Sequence, residues 1–338
     1  MKKFIKTLAS LIAKLDKFTL SLVCVVSLAV IIPVYGHGYE VANSASKAVV
    51  ALLFFLHGVK LSPQSLWSGL THWRLHLLIL FCTFALFPLL GLILSPALRP
   101  LVDEKLYLGI LFLCTLPSTV QSSIAFTSIA GGNVAAAICA ASISSILGVL
   151  ITPVLTSLLL GAASGGFSVQ AIIDLCQQLV APFLLGQILR PWLWPRLEPH
   201  KSVIGKVDRL SVLFIVYVSF SHGTTSGLWQ TLSPSLFLAL IAACAILLSL
   251  ALFSTSQLAL RLGFNRPDRT TILFCGSKKS LVTGVPMANV IFPPALAATI
   301  ILPLMVFHQM QLMACAFIAK KLAEKEENMI AEAIDETK

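Results

Sequence analysis

The sequence predicts an all-helical polytopic membrane protein, and three observations support this fold class. Of its 338 residues, 57% are apolar and 11% are charged, whereas soluble domains carry about 25% charged residues. The mean hydropathy of the chain is +0.92. Apolar runs recur along the whole chain, several of them close to the ~20 residues that cross a bilayer core.

The net positive charge does not indicate nucleic-acid binding. Lys and Arg number 24 against 14 Asp and Glu, which gives a net charge of +10. These basic residues lie between the apolar runs rather than on one basic segment, so we expect no nucleic-acid partner. The partner that this composition requires is the lipid bilayer.

Hydropathy divides the chain into ten spans, five on each side of a linker of small residues at 161–166. The first five are 18–34, 48–56, 75–94, 106–130 and 134–160, and the second five are 169–189, 210–221, 236–260, 271–292 and 296–319. We therefore predict a five-helix repeat at 18–166 and a second one at 167–322. A basic cytoplasmic segment at 1–17 and a charged cytoplasmic tail at 323–338 flank them.

The positions of the basic residues support ten spans, because Lys and Arg collect in cytoplasmic loops. With the N-terminus inside, 19 of the 24 Lys and Arg residues fall on the cytoplasmic side. The exceptions are Lys47, Arg99 and Lys105 outside, and Lys278 and Lys279 within a span. We predict a multi-pass protein of the plasma (inner) membrane with both termini in the cytoplasm.

The basic segment at 1–17 places apolar residues at helical spacing among lysines. This pattern is typical of a helix that lies on an anionic membrane surface. An alternative is a signal peptide cleaved near residues 42–44. The apolar stretch is long for a signal peptide, and cleavage would break the charge distribution.

An odd number of spans in each half gives the two halves opposite orientations, so we predict an inverted repeat. The fourth span contains Pro117 within a polar run at 116–123, and the ninth contains a polar run at 275–280 followed by Pro286. Proline removes a backbone donor, so free peptide groups are expected at both places. Secondary transporters use such broken helices to bind substrate or ions. The simpler alternative is a pair of kinks repaired by Ser and Thr hydroxyls.

Lys278 and Lys279 are the most unusual residues of the ninth span. A lysine at the centre of a span costs about 2.5 to 3.5 kcal/mol on insertion scales. Neighbouring residues of a regular helix point about 100° apart, so both lysines reach one polar cavity only if the backbone is unwound. In the alternative, one lysine faces the cavity and the other snorkels to the cytoplasm.

The acidic residues offer one internal partner for these lysines. Of the 14 carboxylates, only Asp174 lies inside a predicted span. We consider it a possible counter-ion, with hydration at the outer membrane edge as the alternative. If Asp174 does not reach the lysines, their positive charge must be balanced by an anionic substrate or by backbone carbonyls, or removed by loss of a proton.

Other chemically notable residues point to no metal or cofactor. The eight cysteines fall in apolar runs without a C-x-x-C pair, so we expect packing rather than disulfide or metal chemistry. His72 and His76 have the i, i+4 spacing of a zinc pair, but interfacial anchoring is favoured. His308, Gln309 and Gln311 can join the polar core of the tenth span.

Five segments resemble the bile acid:sodium symporter superfamily, within it the symporter-like branch similar to animal solute carrier family ten, member seven. They are LLFFLHG at 52–58, LPSTVQSS at 116–123, GGNVA at 131–135, CGSKKSL at 275–281 and PMAN at 286–289. The resemblance implies a ten-helix inverted repeat in which broken helices 4 and 9 cross. Helices 1, 2, 6 and 7 would form a panel and the other six a core, with substrate bound between the two.

The chain departs from the motifs of the sodium-coupled members. Pro117 and Ser122 match the fourth-helix motif, whereas Lys278 and Lys279 replace a Gln-Asn pair in the ninth helix and Phe274 stands where a glutamate would be. Two ammonium groups repel Na⁺ from that pocket. We expect a lysine to take the place of sodium, so that coupling uses a proton or no ion.

We predict a secondary active transporter of a small organic anion that works by alternating access. The predicted substrate- and ion-binding residues are Pro117, Ser118, Thr119, Gln121, Ser122, Ser123, Asn133, Ser142, Ser145, Lys278, Lys279, Ser280 and Asn289. A membrane regulator that keeps the transporter fold without transporting is the alternative. An enzyme is not expected, because a nucleophile, base and acid do not occur at one depth.

Overall fold

The computed structural model describes residues 17–60, 72–164 and 176–335. These residues form helices and turns, and the described ranges contain no strand. The predicted all-helical class is therefore confirmed. The basic segment at 1–16 and Asp174 lie outside the described residues.

The first half of the chain contains five helical units, of which the fourth is interrupted. They are α1 (Lys17–Ile31), α2 (Gly36–Lys60), α3 (Trp73–Ile93), α4a (Glu104–Thr115), α4b (Gln121–Ile129) and α5 (Val134–Ser164). Helix α3 contains a π-helical turn at Cys82–Leu86. A single turn at Ser95–Leu98 precedes α4a.

The second half repeats this order, and its fourth unit is also interrupted. Its helices are α6 (Ala181–Leu197), α7 (Lys201–Thr225), α8 (Pro234–Arg261), α9a (Arg266–Gly276), α9b (Leu281–Ile291) and α10 (Pro294–Asp335). A π-helical turn at Cys176–Val180 leads into α6, and a short turn at Leu228–Thr231 lies between α7 and α8.

Five of these helices are long and apolar enough to cross a membrane. They are α2, α3, α5, α8 and the part of α10 at Pro294–Lys325. Helix α1 includes a shorter apolar stretch, Leu20–Ile31. These lengths support the predicted membrane class, whereas the count of ten spans and the inverted repeat stay predictions.

Three predicted spans are much shorter than the helices that contain them. The second was placed at 48–56, the seventh at 210–221 and the tenth at 296–319. The helices run over Gly36–Lys60, Lys201–Thr225 and Pro294–Asp335. Hydropathy detects apolar side chains, whereas a helix continues for as long as its backbone hydrogen bonds do. The polar ends of these helices were therefore missed.

The helices pack in two groups. Helix α2 packs along α6, and α7 packs against both α1 and α2. The second group joins α3, α4a, α4b, α5, α8, α9a, α9b and α10. Contacts of α7 with α9b and α10 connect the groups, so α9b lies at their boundary.

Two glycines let α2 and α6 touch backbone to backbone. A Cβ atom on Gly58 would lie 2.1 Å from the carbonyl oxygen of Phe183, and one on Gly186 would lie 2.2 Å from that of Phe55. In addition, the Gln187 amide donates to the Gly58 carbonyl at 2.7 Å. No larger residue fits at either glycine without moving the two helices apart.

Candidate functional site

The interruption of α4 lies at residues 116–120, between α4a and α4b. Leu116, the residue before Pro117, has an extended backbone (φ −72°, ψ 153°). This is the conformation that a following proline favours, because its ring excludes the helical region. The predicted break at Pro117 is therefore present, and it leaves carbonyl groups of the last α4a turn without helical partners.

The interruption of α9 lies at residues 277–280. Ser280 ends it by capping α9b, since its hydroxyl accepts a hydrogen bond from the Thr283 amide at 3.2 Å. Pro286 does not interrupt the chain, contrary to the sequence-based expectation: α9b runs through it from Leu281 to Ile291. One missing donor is tolerated there because the rest of α9b stays hydrogen-bonded and packed.

The two breaks lie against each other and satisfy each other's peptide groups. The Ser280 amide donates to the Pro117 carbonyl at 2.9 Å. In return, the Ser118 hydroxyl donates to the Cys275 carbonyl, and the Ser123 hydroxyl donates to that of Phe274 at 3.0 Å. Ser118, Ser123 and Ser280, three of the polar residues predicted at the two breaks, therefore meet in one buried region.

A third helix supports this junction through Ser144. Its hydroxyl accepts a hydrogen bond from the Ser118 amide at 3.0 Å, and the residue is fully buried. The residues predicted from sequence on this helix were Ser142 and Ser145 instead. Ser142 donates to the Ile138 carbonyl within α5, and Ser145 is half-buried. The face of α5 that points inward depends on the rotation of the helix. The sequence of α5 does not predict this rotation, because small and apolar residues occur on all of its sides.

The remaining predicted residues of α4 divide into a buried and an exposed set. Thr119 is buried, and its hydroxyl lies 2.8 Å from that of Ser122 and 2.9 Å from that of Ser123. Ser122 is half-buried and Gln121 is exposed. The three hydroxyls thus form one polar cluster at the start of α4b, and Gln121 stands outside it.

Lys279 is completely buried and coordinated by backbone carbonyls. Its Nζ donates to the carbonyl oxygens of Thr83 at 2.7 Å, Cys114 at 2.8 Å and Leu116 at 2.8 Å. An ammonium group has three donors and no acceptor, so the three carbonyl oxygens match its hydrogen-bonding capacity. The ring of Phe87 lies 4.2 Å from Nζ, at a cation–π distance.

The backbone of Lys279 is held as firmly as its side chain. The Gln311 side chain accepts from the Lys279 amide at 2.9 Å and donates to its carbonyl at 2.8 Å. Gln311 also contacts His308 Nδ1 at 2.9 Å. Two of the three polar residues proposed for the core of the tenth span therefore support the break in α9.

Lys278 is also buried, but it extends into a different environment. Its Nζ lies 4.0 Å from the centroid of the Phe126 ring and 5.6 Å from that of Phe274. It has no hydrogen-bond partner in the part of the chain that the structure describes. The two adjacent ammonium groups are thus separated, one coordinated by oxygens and one over aromatic rings.

The alternative in which one lysine snorkels to the cytoplasm is wrong for this structure. Both Lys278 and Lys279 are 0% exposed. The unwound backbone at 277–280 allows the two neighbouring side chains to extend in different directions inside the protein.

Two predicted residues stabilise the surroundings rather than the junction. The amide nitrogen of Asn133 donates to Asp268 at 3.0 Å, which ties the start of α5 to α9a. The oxygen of Asn289 accepts from the Ser219 hydroxyl at 2.8 Å and connects α9b with α7. Asn289 thus lies at the boundary between the two helix groups.

The expectation that Asp174 is the only internal carboxylate needs correction. Asp208 on α7 and Asp268 on α9a are 8% and 6% exposed. Asp208 forms a salt bridge with Lys60 on α2, and one of its carboxylate oxygens has no partner among the described residues. Both acids were assigned to loops because they lie near helix ends, where charged neighbours lower the local hydropathy.

The histidine pair gives no metal site within the described ranges, where no group of three or more His, Cys, Asp or Glu residues is close enough to hold a metal. His72 is exposed, whereas His76 is buried and its Nδ1 lacks a partner among the described residues. Of the seven cysteines with described side chains, five are buried.

Comparison with known proteins gives consistent matches over nearly the whole chain. Residues 16–324 match the model of the SBF-like CPA transporter family. An uncharacterized protein, PA2026, of Pseudomonas aeruginosa is 52% identical over 94% of this chain and 95% of its own length. The putative symporter YfeH of Escherichia coli is 43% identical over 94% and 96%. The sodium/bile acid cotransporter 7 of Rattus norvegicus is 33% identical over 80% of both chains.

Proposed function

We propose that this chain, which belongs to the SBF-like CPA transporter family, moves a small organic anion across the membrane by alternating access. Its relatives are named a putative symporter and a sodium/bile acid cotransporter, and their names support transport. The residues of this chain are the basis for two further parts of the proposal, namely that the substrate is an anion and that it binds at the junction of the two breaks.

The proposed architecture is a ten-span inverted repeat with a panel and a core. The grouping of α1, α2, α6 and α7 apart from the other helices supports it. So do the interruptions of α4 and α9, which occupy the same position in each half. We place the protein in the inner membrane with both termini in the cytoplasm, on the strength of its distribution of basic residues.

The proposal of an anionic substrate rests on one observation. Lys278 Nζ is buried beside the junction of the two breaks, and no described residue hydrogen-bonds to it. A buried ammonium without a partner is strongly unfavourable, so an unpaired lysine tends to lose its proton. We propose that an anionic group on the substrate supplies the partner and stabilises the protonated form. In the proposed mechanism the anion displaces the Phe126 ring from Lys278, and the hydroxyls of Thr119 and Ser122 orient it.

Movement between the two helix groups would then expose the anion to each side in turn. Helix α9b directly follows the break in α9 and contacts α7 of the other group. The Ser219–Asn289 hydrogen bond lies at this boundary. We propose that this boundary opens and closes while the Lys279 coordination keeps the two breaks together.

The position of the Lys279 side chain also supports transport that is not coupled to sodium. Its ammonium already occupies a position surrounded by three carbonyl oxygens, and oxygen ligands of this kind are what a free hard cation requires. A tethered cation there would repel Na⁺. We therefore propose coupling to protons or to no ion.

A thermal-shift screen of organic anions tests the proposed site. We expect an anionic ligand to stabilise the wild type and to lose its effect in Lys278→Met, because the partner charge is removed. Lys206→Met is the matched control, since Lys206 is exposed on α7 and its removal changes the net charge equally. Undiminished stabilisation of Lys278→Met would contradict the site.

Flux measurements in proteoliposomes then test transport itself. We expect the same ligand to show saturable uptake that Lys278→Met abolishes. A ligand that binds at Lys278 without any flux would instead support the alternative of a membrane regulator, and it would overturn the transport proposal while leaving the site intact.

A further inference from the structure

Two neighbouring cavities lie where α3 begins and where α8 turns into α9a. The first has a volume of about 300 Å³ and is lined by polar residues that include His72, Arg74 and Asn265. The second has a volume of about 350 Å³ and is lined by apolar residues of α3 and α8 that include Leu77 and Leu258. Neither cavity contains residues of the junction between the two breaks.

The two cavities form one continuous surface. Trp73, Arg74 and Phe264 line both of them. Trp73 is 60% exposed, as is typical of an aromatic residue at the level of lipid headgroups. A polar end and an apolar end joined in this way fit an amphiphile better than a soluble ion or a wholly apolar molecule.

The polar end has spare positive charge. The Arg74 guanidinium lies 5.7 Å from the centre of the Phe264 ring, and one of its nitrogens donates to the Leu262 carbonyl at 3.4 Å. An arginine has five N–H donors, so others are left for a ligand. His72 adds an imidazole at the start of α3, and it makes no side-chain cap to the first amide groups of that helix.

One acidic residue, Asp268, lines the same cavity. It is 6% exposed, and one oxygen of its carboxylate accepts a hydrogen bond from Asn133. Arg74 is exposed. The more accessible of the two charged side chains is therefore the arginine.

We propose that an anionic phospholipid binds here, with its phosphate against Arg74 and an acyl chain in the groove between α3 and α8. The distribution of basic residues predicts that this end of the bundle faces the cytoplasm, where anionic lipids attract juxtamembrane Arg and Lys. A lipid in this position would contact both α3, which carries the Thr83 carbonyl, and α8. This lipid site does not depend on the proposed transport function.

Titration of the purified protein in a non-ionic detergent tests this site by thermal shift. We expect phosphatidylglycerol to raise the melting temperature more than phosphatidylcholine with the same acyl chains, because only the first carries net negative charge. Arg74→Gln should weaken the apparent affinity for phosphatidylglycerol about fivefold. Arg196→Gln, which removes an exposed arginine from α6, should leave it unchanged.

Two further measurements distinguish a bound phospholipid from a bound phosphate group alone. Leu77→Trp fills the groove without changing charge, and we expect it to weaken binding of phosphatidylglycerol. Glycerol 3-phosphate, which has the phosphate but no acyl chains, should give no stabilisation at the same concentration. Equal effects of the two lipids, an unchanged Arg74→Gln titration, or full stabilisation by glycerol 3-phosphate would each overturn the proposal.

Discussion

At the scale of single residues, Lys278 and Lys279 show how adjacent identical side chains acquire different roles. Lys279 satisfies three carbonyl oxygens that belong to two separate helical units and a break. Lys278 meets aromatic rings and no described hydrogen-bond acceptor. The first lysine is therefore expected to stabilise the folded protein, whereas the amine of the second has no described hydrogen-bond partner and is open to a ligand.

This difference predicts opposite effects of the same substitution. Lys279→Met fills a similar volume but leaves three buried carbonyls without donors, so we expect a loss of roughly 2 to 5 kcal/mol in the free energy of unfolding. Lys278→Met removes a buried amine without a described hydrogen-bond partner, so we expect an unchanged or higher stability.

Thermal melting of the two variants in the same detergent measures this contrast. The pair is internally matched, because each variant exchanges one buried lysine for methionine at neighbouring positions. If Lys278→Met proved the less stable of the two, the assignment of Lys279 as the structural lysine would be incorrect.

At the scale of helices, interruptions are stabilised by caps and by each other. Ser280 caps α9b and also donates its amide to Pro117. Ser118 uses its hydroxyl on α9a and its amide on Ser144. Each break would be costly alone in a membrane, so the two stabilise each other as a unit, and neither is expected to persist without the other.

The contact of α2 with α6 makes a second prediction at this scale. Gly58→Ala would place a Cβ 2.1 Å from the Phe183 carbonyl oxygen, which forces the helices apart. We expect a loss of roughly 1 to 3 kcal/mol in the free energy of unfolding.

Gly205→Ala is the control for this substitution. Gly205 lies within α7, and a Cβ there meets no atom within 4 Å. Alanine favours a helix over glycine by roughly 0.5 to 1 kcal/mol, so the control should be neutral or stabilising. Equal melting temperatures of the two alanine variants would contradict the close contact between α2 and α6.

At the scale of the whole molecule, the tethered ammonium of Lys279 leads to a prediction about coupling. In proteoliposomes we expect saturable uptake of the organic anion to be unchanged when external Na⁺ is replaced by N-methylglucamine, because the carbonyl site is already occupied. Uptake by the wild-type protein that stopped without Na⁺ would show that sodium binds elsewhere, and the proposed coupling would be abandoned.

Both breaks and most of the polar residues around them were predictable from the sequence, because prolines and buried charges in apolar runs are visible locally. The sequence analysis missed Ser144, because the rotation of α5 was not known. It also missed the Thr83 carbonyl, because a backbone group has no sequence signature and no residue pattern predicts the π-helical turn that contains Thr83. Asp208 and Asp268 were placed in loops, because hydropathy does not detect burial at helix ends.

What the sequence by itself determined is the helical membrane class and the places where helices are interrupted. Apolar length and proline act over a few neighbouring residues, so they need no fold to be interpreted. Only the tertiary structure decided which lysine is coordinated and which lacks a described partner. That choice depends on carbonyl oxygens more than 160 residues away in the chain and on the rotation of each helix, and neither is encoded in the local pattern.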